Sequence, residues 1–178
     1  MNRLTEIANK YNCDKGTVAY EAHGYTEEYG KIIPETGKYN LFEIGIWHGD
    51  SLRMWHEYNP ELYIDAIDID VETRKYDKEI NNVNVFIADQ GNIKELERLS
   101  LCTEYDFIVD DGSHRYEDIL TSYKVLYPKL KDGGYYFIED LHAPQAQKYK
   151  LLGEIASLYD FTTPGFRCDG KLWIIQKL

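Results

Sequence analysis

Residues 39–69, YNLFEIGIWHGDSLRMWHEYNPELYIDAIDI, decide the fold of this chain of 178 residues. Two apolar runs, residues 39–46 and 62–69, flank a segment at residues 51–58 in which apolar side chains recur with helical spacing. Short apolar runs bounded by turn residues are typical of buried strands, whereas apolar side chains three and four positions apart indicate a helix. The stretch therefore predicts a strand–helix–strand unit with parallel strands.

The same alternation continues along the rest of the chain. Further strands are predicted at residues 83–88, 105–109, 135–138, 161–166 and 172–176, and further helices at residues 3–11, 71–80, 93–99, 116–130 and 143–158. The turn dipeptide Asp169-Gly170 is expected to join the last two strands as a hairpin. We therefore predict one α/β domain: a doubly wound, seven-stranded, Rossmann-like sheet with an antiparallel C-terminal hairpin.

Charge and cysteine content narrow the class of protein. The chain has 31 acidic and 20 basic residues, a net charge of −11. Nucleic acids and anionic membranes are bound through excess Lys and Arg, so neither is an expected partner. The three cysteines are isolated, with no CxxC pair, and no apolar segment resembles a signal peptide or a membrane span. This pattern is typical of a cytoplasmic protein with reduced thiols.

The turn after the first predicted strand carries a glycine motif. Doubly wound sheets bind ligands at the carboxyl ends of their strands, so this turn is a candidate site. Gly45 and Gly49 have the spacing G-x-x-x-G, and Trp47 stands where a dinucleotide-binding motif has its second glycine. A pyrophosphate would meet that side chain, whereas a nucleoside cofactor without phosphates would not. Glu43 lies at the end of the strand and could accept a hydrogen bond from a ligand ammonium. The alternative is that no ligand binds here and that the two glycines serve only the geometry of the turn.

Acidic and amide side chains follow the second and third predicted strands. Asp68 could accept hydrogen bonds from both hydroxyls of a ribose, and Asp70 could cap the next helix. The same pair forms the D-x-D pattern of metal-dependent glycosyltransferases, which leaves a glycosyl- or nucleotidyl-transferase open as an alternative. Asp89 and Gln90 could accept from an adenine amino group, or the segment could form an Asx-type turn.

Carboxylates cluster after the fourth and fifth predicted strands. Neighbouring strands lie about 4.8 Å apart, so Asp111 should face Glu139 and Asp140. Three converging carboxylates suit a hard divalent cation such as Mg²⁺, Mn²⁺ or Ca²⁺. His114 follows in the same turn and could accept a proton. Turn and cap chemistry is the alternative for residues 110–113, but it does not account for the Glu139-Asp140 pair.

These motifs together resemble a known family. The E-x-G-x-x-x-G of residues 43–49, the acidic Asp68 and Asp89 and the closing hairpin resemble class I S-adenosylmethionine-dependent methyltransferases. The segments FEIGIWHGDSLRMW (residues 42–55), FIVDDGSHRYED (107–118) and LKDGGYYFIEDLH (130–142) more closely resemble the metal-dependent sugar O-methyltransferases of the mycinamicin type and the related cephalosporin-tailoring methyltransferases.

The resemblance implies an enzyme that transfers a methyl group from S-adenosylmethionine to a hydroxyl of a sugar or another small metabolite. By motif, Asp111, Glu139 and Asp140 are the implied ligands of Mg²⁺ (or Mn²⁺ or Ca²⁺), and His114 is the implied general base. Residues 1–38 are expected to form a helix and a segment covering the cofactor, and residues 39–178 the core. The residues expected to contact the cofactor are Thr17, Glu43, Gly45, Gly49, Ser51, Asp68, Asp89, Gln90 and Asp110.

The resemblance is incomplete in one respect. The macrolide enzymes carry a large additional N-terminal domain, whereas here residues 1–38 alone precede the first predicted strand. An acceptor smaller or more exposed than a macrolide is therefore expected. Completion of the pocket by a second copy of the chain, in a homo-oligomer, is left open. A non-catalytic cofactor-binding protein on the same fold is a further alternative, although pure binding would not require His114.

Overall fold

The computed structural model describes residues 1–19, 22–99, 101, 104–141 and 170–178 together with the backbone of residues 155–160. The α-helices are α1 Arg3–Lys10, α2 Thr26–Ile32, α3 Asp50–Tyr58, α4 Tyr76–Glu79, α5 Ile93–Arg98 and α6 Tyr116–Leu126, with 3-10 helices at Val71–Lys75 and Tyr127–Lys129. The strands are β1 Asn40–Ile44, β2 Tyr63–Asp68, β3 Val83–Ile87, β4 Tyr105–Asp110, β5 Leu130–Ile138, β6 Ile155–Asp160 and β7 Lys171–Gln176.

The strands form one sheet in the order β3-β2-β1-β4-β5-β7-β6. Strands β1 to β5 pair in parallel, and β7 runs antiparallel to both β5 and β6. The predicted α/β fold with an antiparallel C-terminal pair is therefore confirmed. From β1 the chain adds β2 and β3 on one side of the sheet, and it then crosses to the other side of β1 to form β4. This reversal of direction places a crevice at the carboxyl ends of β1 and β4.

Three predictions concern the C-terminal part of the chain, and some of their residues lie outside the described ranges. The helix expected at residues 143–158 is wrong at its end, because residues 155–158 belong to β6, paired with β7. The strand expected at residues 161–166 lies outside the described residues, as does Asp169. Since β6 ends at Asp160 and β7 begins at Lys171, a two-residue turn does not connect them.

The core forms two apolar layers, one on each face of the sheet. Strand residues alternate between them: Leu41 faces the layer of α1, α2 and α3, and Phe42 faces the layer of α5 and α6. Trp55 of α3 and Ile119 of α6 are fully or almost fully buried in these layers. The two layers cover both faces of the sheet, so a site can form only at its edges, among them the loops at the carboxyl ends of the strands. Among the described helices, none has the length and apolar character that crossing a membrane would require.

Candidate active site

The loops after β1 to β5 and the N-terminal segment around residues 12–15 enclose a cleft of about 570 Å³. This volume is in the range of small-molecule binding sites. The predicted site residues that line the cleft are Gly45, Ser51, Asp68, Asp89, Gln90, Asp111, His114 and Asp140. The structure thus brings most of the residues at the predicted strand ends together around one space.

Several residues that line the cleft have strained backbone. Asn12, Trp47, His114 and Asp140 have φ values of 56°, 47°, 56° and 53°, a left-handed conformation that is costly for residues other than glycine. Such conformations cluster at functional sites, where the surrounding structure enforces them. Asn, Asp and His adopt this conformation more readily than other residues, so Trp47 is the clearest outlier among the residues that line the cleft.

Gly45 allows the loops after β1 and β4 to meet. Its φ is 89°, and a Cβ atom at this position would lie 2.1 Å from the carbonyl oxygen of Asp111. No side chain fits there, so the close contact between the two loops is the reason that this position requires glycine. The loop is also held by Asp68, whose Oδ2 accepts from the backbone N–H groups of Ile46 and Trp47 at 2.7 and 3.0 Å. A ribose contact by Asp68 stays a prediction.

Asp111, His114 and Asp140 form a cluster of potential metal ligands. One ligand atom from each residue lies within 4.8 Å of the others, and His114 Nε2 is 3.9 Å from Asp140 Oδ2. The buried Nδ1 of His114 finds no hydrogen-bond partner among the described residues. Carboxylate oxygens are the ligands that Mg²⁺ and Mn²⁺ prefer, so Asp111 and Asp140 fit such a divalent cation, with the imidazole of His114 beside them.

Asp140 is oriented by side chains from the N-terminal segment. The hydroxyl of Tyr25 donates to Asp140 Oδ1 at 2.7 Å, and His23 Nε2 lies 3.4 Å from the same oxygen. These contacts turn the other oxygen, Oδ2, toward His114. Tyr25 comes from a segment without regular periodicity, so no sequence motif predicted it.

Glu139 is placed differently from the other predicted metal ligands. Its Oε2 accepts from the ammonium group of Lys15 at 3.0 Å, and its Oε1 accepts from the hydroxyl of Tyr29 at 2.5 Å. Lys15 Nζ also contacts Asp111 Oδ2. Glu139 thus lies beside the ligand cluster with both oxygens engaged, and its role as a metal ligand stays a prediction.

Lys15 is the main residue that sequence reasoning missed. Its side chain is 1% exposed, between the two carboxylates. The repulsion argument that predicted a metal requires a nearby cation, and a lysine side chain meets the same requirement. The sequence signal was the DKG turn at residues 14–16, although nothing local shows that it reaches the sheet.

Burial controls the electrostatics of this region. It raises the pKa of Asp111 to about 6, although the positive charge of Lys15 opposes the shift. Burial, together with the charge of Asp111, raises the pKa of Glu139 well above its usual value. Burial also disfavours the charged form of Lys15, but the carboxylates of Asp111 and Glu139 hold the pKa of its ammonium group well above the ordinary value. Lys15 is therefore charged at neutral pH.

Asp110 needs correction as a cofactor-binding residue. Its side chain is 1% exposed and points away from the cleft, toward α6. It accepts hydrogen bonds from Gln90 Nε2 at 2.8 Å, from Ser122 Oγ at 2.5 Å and from Tyr136 at 3.2 Å. Because side chains alternate across a strand and its end, Asp110 is structural whereas Asp111 reaches the cleft.

The side chain of Gln90 is used to hold a loop. Its Nε2 donates to Asp110, and its Oε1 accepts from the backbone N–H of Ser113 at 2.7 Å. Both ends of the amide are thus engaged, so the prediction that it accepts from adenine is not supported. Asp89 forms the alternative Asx turn, because its Oδ1 accepts from the N–H of Gly91 at 2.8 Å. An adenine contact by Asp89 stays a prediction.

Thr17 and Gly49 also lie outside the described lining of the cleft. Thr17 is exposed, and its backbone N–H donates to Asn9 Oδ1 at 2.8 Å, which fixes it to the end of α1. A Cβ atom at Gly49 would lie 2.5 Å from the ring of Tyr76, so this glycine is required by packing. Both residues thus have structural contacts, and a cofactor contact by either of them stays a prediction.

Glu43 lies below the cleft, among the described residues of the core. It is fully buried, its Oε1 accepts from Trp55 Nε1 at 3.3 Å, and its Oε2 has no partner in the described part of the chain. Burial raises the pKa of Glu43 to about 7. The Glu43 side chain therefore does not reach the surface of the cleft, where a ligand ammonium was expected to contact it.

The D-x-D alternative loses its support in the structure. Asp68 accepts from backbone N–H groups through both oxygens, including that of Asp70 at 2.8 Å. Asp70 Oδ1 accepts from the N–H of Glu72 at 3.0 Å and caps the following 3-10 helix. Both residues thus have turn and cap roles, and in the described residues the group suited to a metal is the cluster around His114.

The sheet order, the antiparallel β7 and the cleft at the carboxyl ends define an α/β protein of the methyltransferase type. The model of the family described as "Methyltransferase domain" matches residues 42–141, and the chain belongs to this family. It is 32% identical over 148 residues to demethylmacrocin O-methyltransferase from Streptomyces fradiae. The matched residues are 78% of this chain and 36% of that relative. It is 34% identical over 148 residues to 8-demethyl-8-alpha-L-rhamnosyl tetracenomycin-C 2'-O-methyltransferase from Streptomyces olivaceus, which covers 78% of this chain and 37% of that protein.

A solved structure shares the fold. The MycE methyltransferase of the mycinamycin biosynthetic pathway, solved with Mg, SAH and mycinamycin VI, superposes with a TM-score of 0.77 at 23% identity over 99% of this chain and 53% of that chain. The chain thus spans about a third of the length of the curated relatives it matches and about half of the MycE chain.

Proposed function

We propose that this chain catalyses the divalent-metal-dependent transfer of a methyl group from S-adenosylmethionine to a hydroxyl of a sugar or another small metabolite, with His114 as general base. The observation that carries the proposal is the convergence of Asp111, His114 and Asp140 in the cleft at the carboxyl ends of the strands. The relatives support the same reaction class, since both are named O-methyltransferases and one name specifies a rhamnosyl tetracenomycin.

The chemistry asks two things of the protein. The electrophile is already activated in the cofactor, so the cleft must hold donor and acceptor in line, which is a large part of the attainable rate effect. The acceptor hydroxyl must also lose its proton. A bound Mg²⁺ would lower the pKa of that hydroxyl, and Asp111 and Asp140 are the described residues that would hold it, with Glu139 beside them.

His114 is the group that would take the proton. Its ring is about one-third exposed in the cleft, with Nε2 beside Asp140. A positioned base of this kind contributes roughly 10²–10⁴-fold to the rate. The carboxylate of Asp140, held by Tyr25, would stabilise the positive charge that the imidazole acquires.

The cofactor would lie between the loops after β1, β2 and β3. Gly45, Ser51, Asp68 and Asp89 line this side of the cleft. The motif places Trp47 where a dinucleotide-binding loop has its second glycine, which favours a nucleoside cofactor such as S-adenosylmethionine over a dinucleotide.

Calorimetry and an activity assay test the proposal. We expect the protein to bind S-adenosylhomocysteine, and to methylate members of a panel of sugars and glycosides only when Mg²⁺ or Mn²⁺ is present. A thermal-shift assay that compares UDP-sugars with S-adenosylhomocysteine tests the glycosyltransferase alternative, because a bound ligand raises the melting temperature. Stabilisation by UDP-sugars but not by S-adenosylhomocysteine would reject the proposal, and full activity in EDTA would reject its metal requirement. Binding without turnover across the panel would favour a non-catalytic protein.

A further inference from the structure

Lys15 is fixed in its buried position by the backbone around it. The N–H of Thr26 donates to the carbonyl of Lys15 at 3.1 Å, and the N–H of Gly24 donates to the carbonyl of Gly16 at 2.7 Å. These hydrogen bonds tie the segment that carries the lysine to the start of α2. The lysine thus comes from a constrained segment, and its ammonium group meets the loops after β4 and β5.

Asp111 belongs to two groups at once. Its carboxylate contacts the ammonium of Lys15, and it also contributes to the potential metal site with His114 and Asp140. Glu139 shares the same ammonium at 3.0 Å. A divalent cation bound at Asp111 would therefore lie near a resident positive charge, which Coulomb repulsion disfavours strongly in a partly buried site.

We propose that Lys15 is the resident counter-ion of the acidic site: it holds Asp111 and Glu139 together when no divalent cation is bound, and it lowers the affinity of the site for such a cation. The inference rests on the proposed function, because it takes Asp111 as part of the cation site. Lys15 acts here as a positioning residue through the two carboxylates. By reducing the net negative charge of the site it makes cation binding weaker and reversible, since affinity depends on the number of ligand charges.

The first experiment compares Mg²⁺ binding by the wild type and Lys15→Met, which has a side chain of similar length without the charge. Calorimetry should give a dissociation constant about tenfold or more lower for the variant, because the repulsion is removed. Mg²⁺ should also raise the melting temperature of the variant by more than that of the wild type. Equal or weaker Mg²⁺ binding by Lys15→Met would overturn the proposal.

Lys131→Met is the matched control. Lys131 Nζ also pairs with a carboxylate on β4, that of Asp106 at 2.8 and 2.9 Å, but at the opposite end of the strand. Its removal deletes one lysine–aspartate pair without touching the cleft. The Mg²⁺ affinity of Lys131→Met should therefore equal that of the wild type. If it rises as much as in Lys15→Met, the effect of Lys15 does not come from its position beside the acidic site.

A double-mutant cycle in metal-free buffer tests the counter-ion role separately. Lys15→Met should lower the stability to urea strongly, and adding Glu139→Gln should recover part of that loss, because the remaining carboxylates repel less. Additive effects would overturn the counter-ion role. Folding of Lys15→Met with Mg²⁺, but not with NaCl of equal ionic strength, would support the proposal. If Lys15→Met does not fold even with Mg²⁺, the proposal is contradicted.

The two proposals fail in different ways. If the wild type and Lys15→Met both bind no Mg²⁺, the metal in the proposed function is wrong, and the predicted effect of Lys15 on cation affinity is wrong with it. If both bind Mg²⁺ equally, the proposed metal stands and the effect of Lys15 is wrong. The cycle in metal-free buffer gives a result in either case.

Discussion

His114 and Asp140 face each other across the cleft with Nε2 and Oδ2 3.9 Å apart, and both have left-handed backbone conformations. They follow the neighbouring parallel strands β4 and β5, which brings their loops to the same edge of the sheet. Strain of this kind costs on the order of 1–3 kcal/mol for each residue and persists only where the surroundings enforce it. Tyr25 contacts Asp140, Gly45 packs against the Asp111 carbonyl and Lys15 pairs with Asp111, so these neighbouring contacts can be tested one by one.

Replacement of His114 by Ala should remove most of the turnover. If His114 is the base, kcat should fall by roughly 10²–10⁴-fold, because the acceptor proton has no positioned acceptor. Calorimetry should still show binding of S-adenosylhomocysteine and of Mg²⁺. Loss of Mg²⁺ binding would make His114 a metal ligand instead, which the cluster geometry also allows. His56→Ala, on α3 and outside the described cleft lining, is the control; unchanged turnover in His114→Ala would reject the base.

Gly45→Ala should destabilise the protein more than Gly133→Ala. Both glycines have positive φ, 89° and 80°, so both substitutions carry a similar conformational cost of about 1 kcal/mol. An added Cβ at Gly45 would meet the Asp111 carbonyl at 2.1 Å, whereas at Gly133 no described atom lies within 4 Å. Urea unfolding should therefore show about 2 kcal/mol more loss for Gly45→Ala. Equal losses would show that the two loops can separate without cost.

Tyr25→Phe should weaken Mg²⁺ binding about tenfold, because Asp140 Oδ1 loses the hydroxyl that orients it. Calorimetry measures this directly. Tyr58→Phe is the matched control, since it also removes a phenol hydroxyl, one that donates to the carbonyl of Ile33 at 3.1 Å on the α1 side of the sheet. Tyr58→Phe should lower stability without changing Mg²⁺ affinity. A wild-type affinity in Tyr25→Phe would mean that the strained backbone alone positions Asp140.

The sequence allowed the parallel core to be predicted well because each of its elements has its own local pattern. Apolar runs of five or six residues, separated by segments with helical spacing, leave few alternatives to a doubly wound sheet. The end of the chain was harder. The segment at β6 has a pattern compatible with a helix, and its pairing with β7, a contact distant in sequence, overrides that local preference.

The site residues that could be predicted were likewise those with a local sequence signal, and those that depend on contacts distant in sequence were missed or misassigned. Asp111, His114 and Asp140 were predictable because strand ends in such sheets share one edge. Asp110 was assigned to the wrong side because two adjacent aspartates must point in opposite directions, and only the packing of α6 decides which one is buried. Lys15 and Tyr25 were missed because they reach the site from a segment 96 and 115 residues away in sequence.

Glu43 gives the stability of the protein a pH dependence. Burial raises its folded-state pKa to about 7 from an ordinary value of 4.5. Between these two values the folded chain holds a proton that the unfolded chain has released, so unfolding is favoured as the pH rises. The contribution of Glu43 to stability is thus fully present below about pH 4.5 and is lost as the pH rises through 7.

Glu43→Gln should remove this pH dependence, because glutamine keeps the acceptor for Trp55 Nε1 and carries no charge at any pH. Urea unfolding at pH 5 and pH 8 measures it: the variant should gain on the wild type by up to about 3 kcal/mol between the two values. Glu57→Gln is the control: hydrogen bonds from Lys10 and Tyr11 lower the pKa of Glu57, so this carboxyl is ionised in both the folded and the unfolded chain from pH 5 to pH 8, and its contribution to stability stays constant over that range. If Glu43→Gln and the wild type keep a constant difference in stability across this range, then Glu43 stays ionised in the folded protein, and the positive charge of Lys15 must reach it more strongly than burial opposes its ionisation.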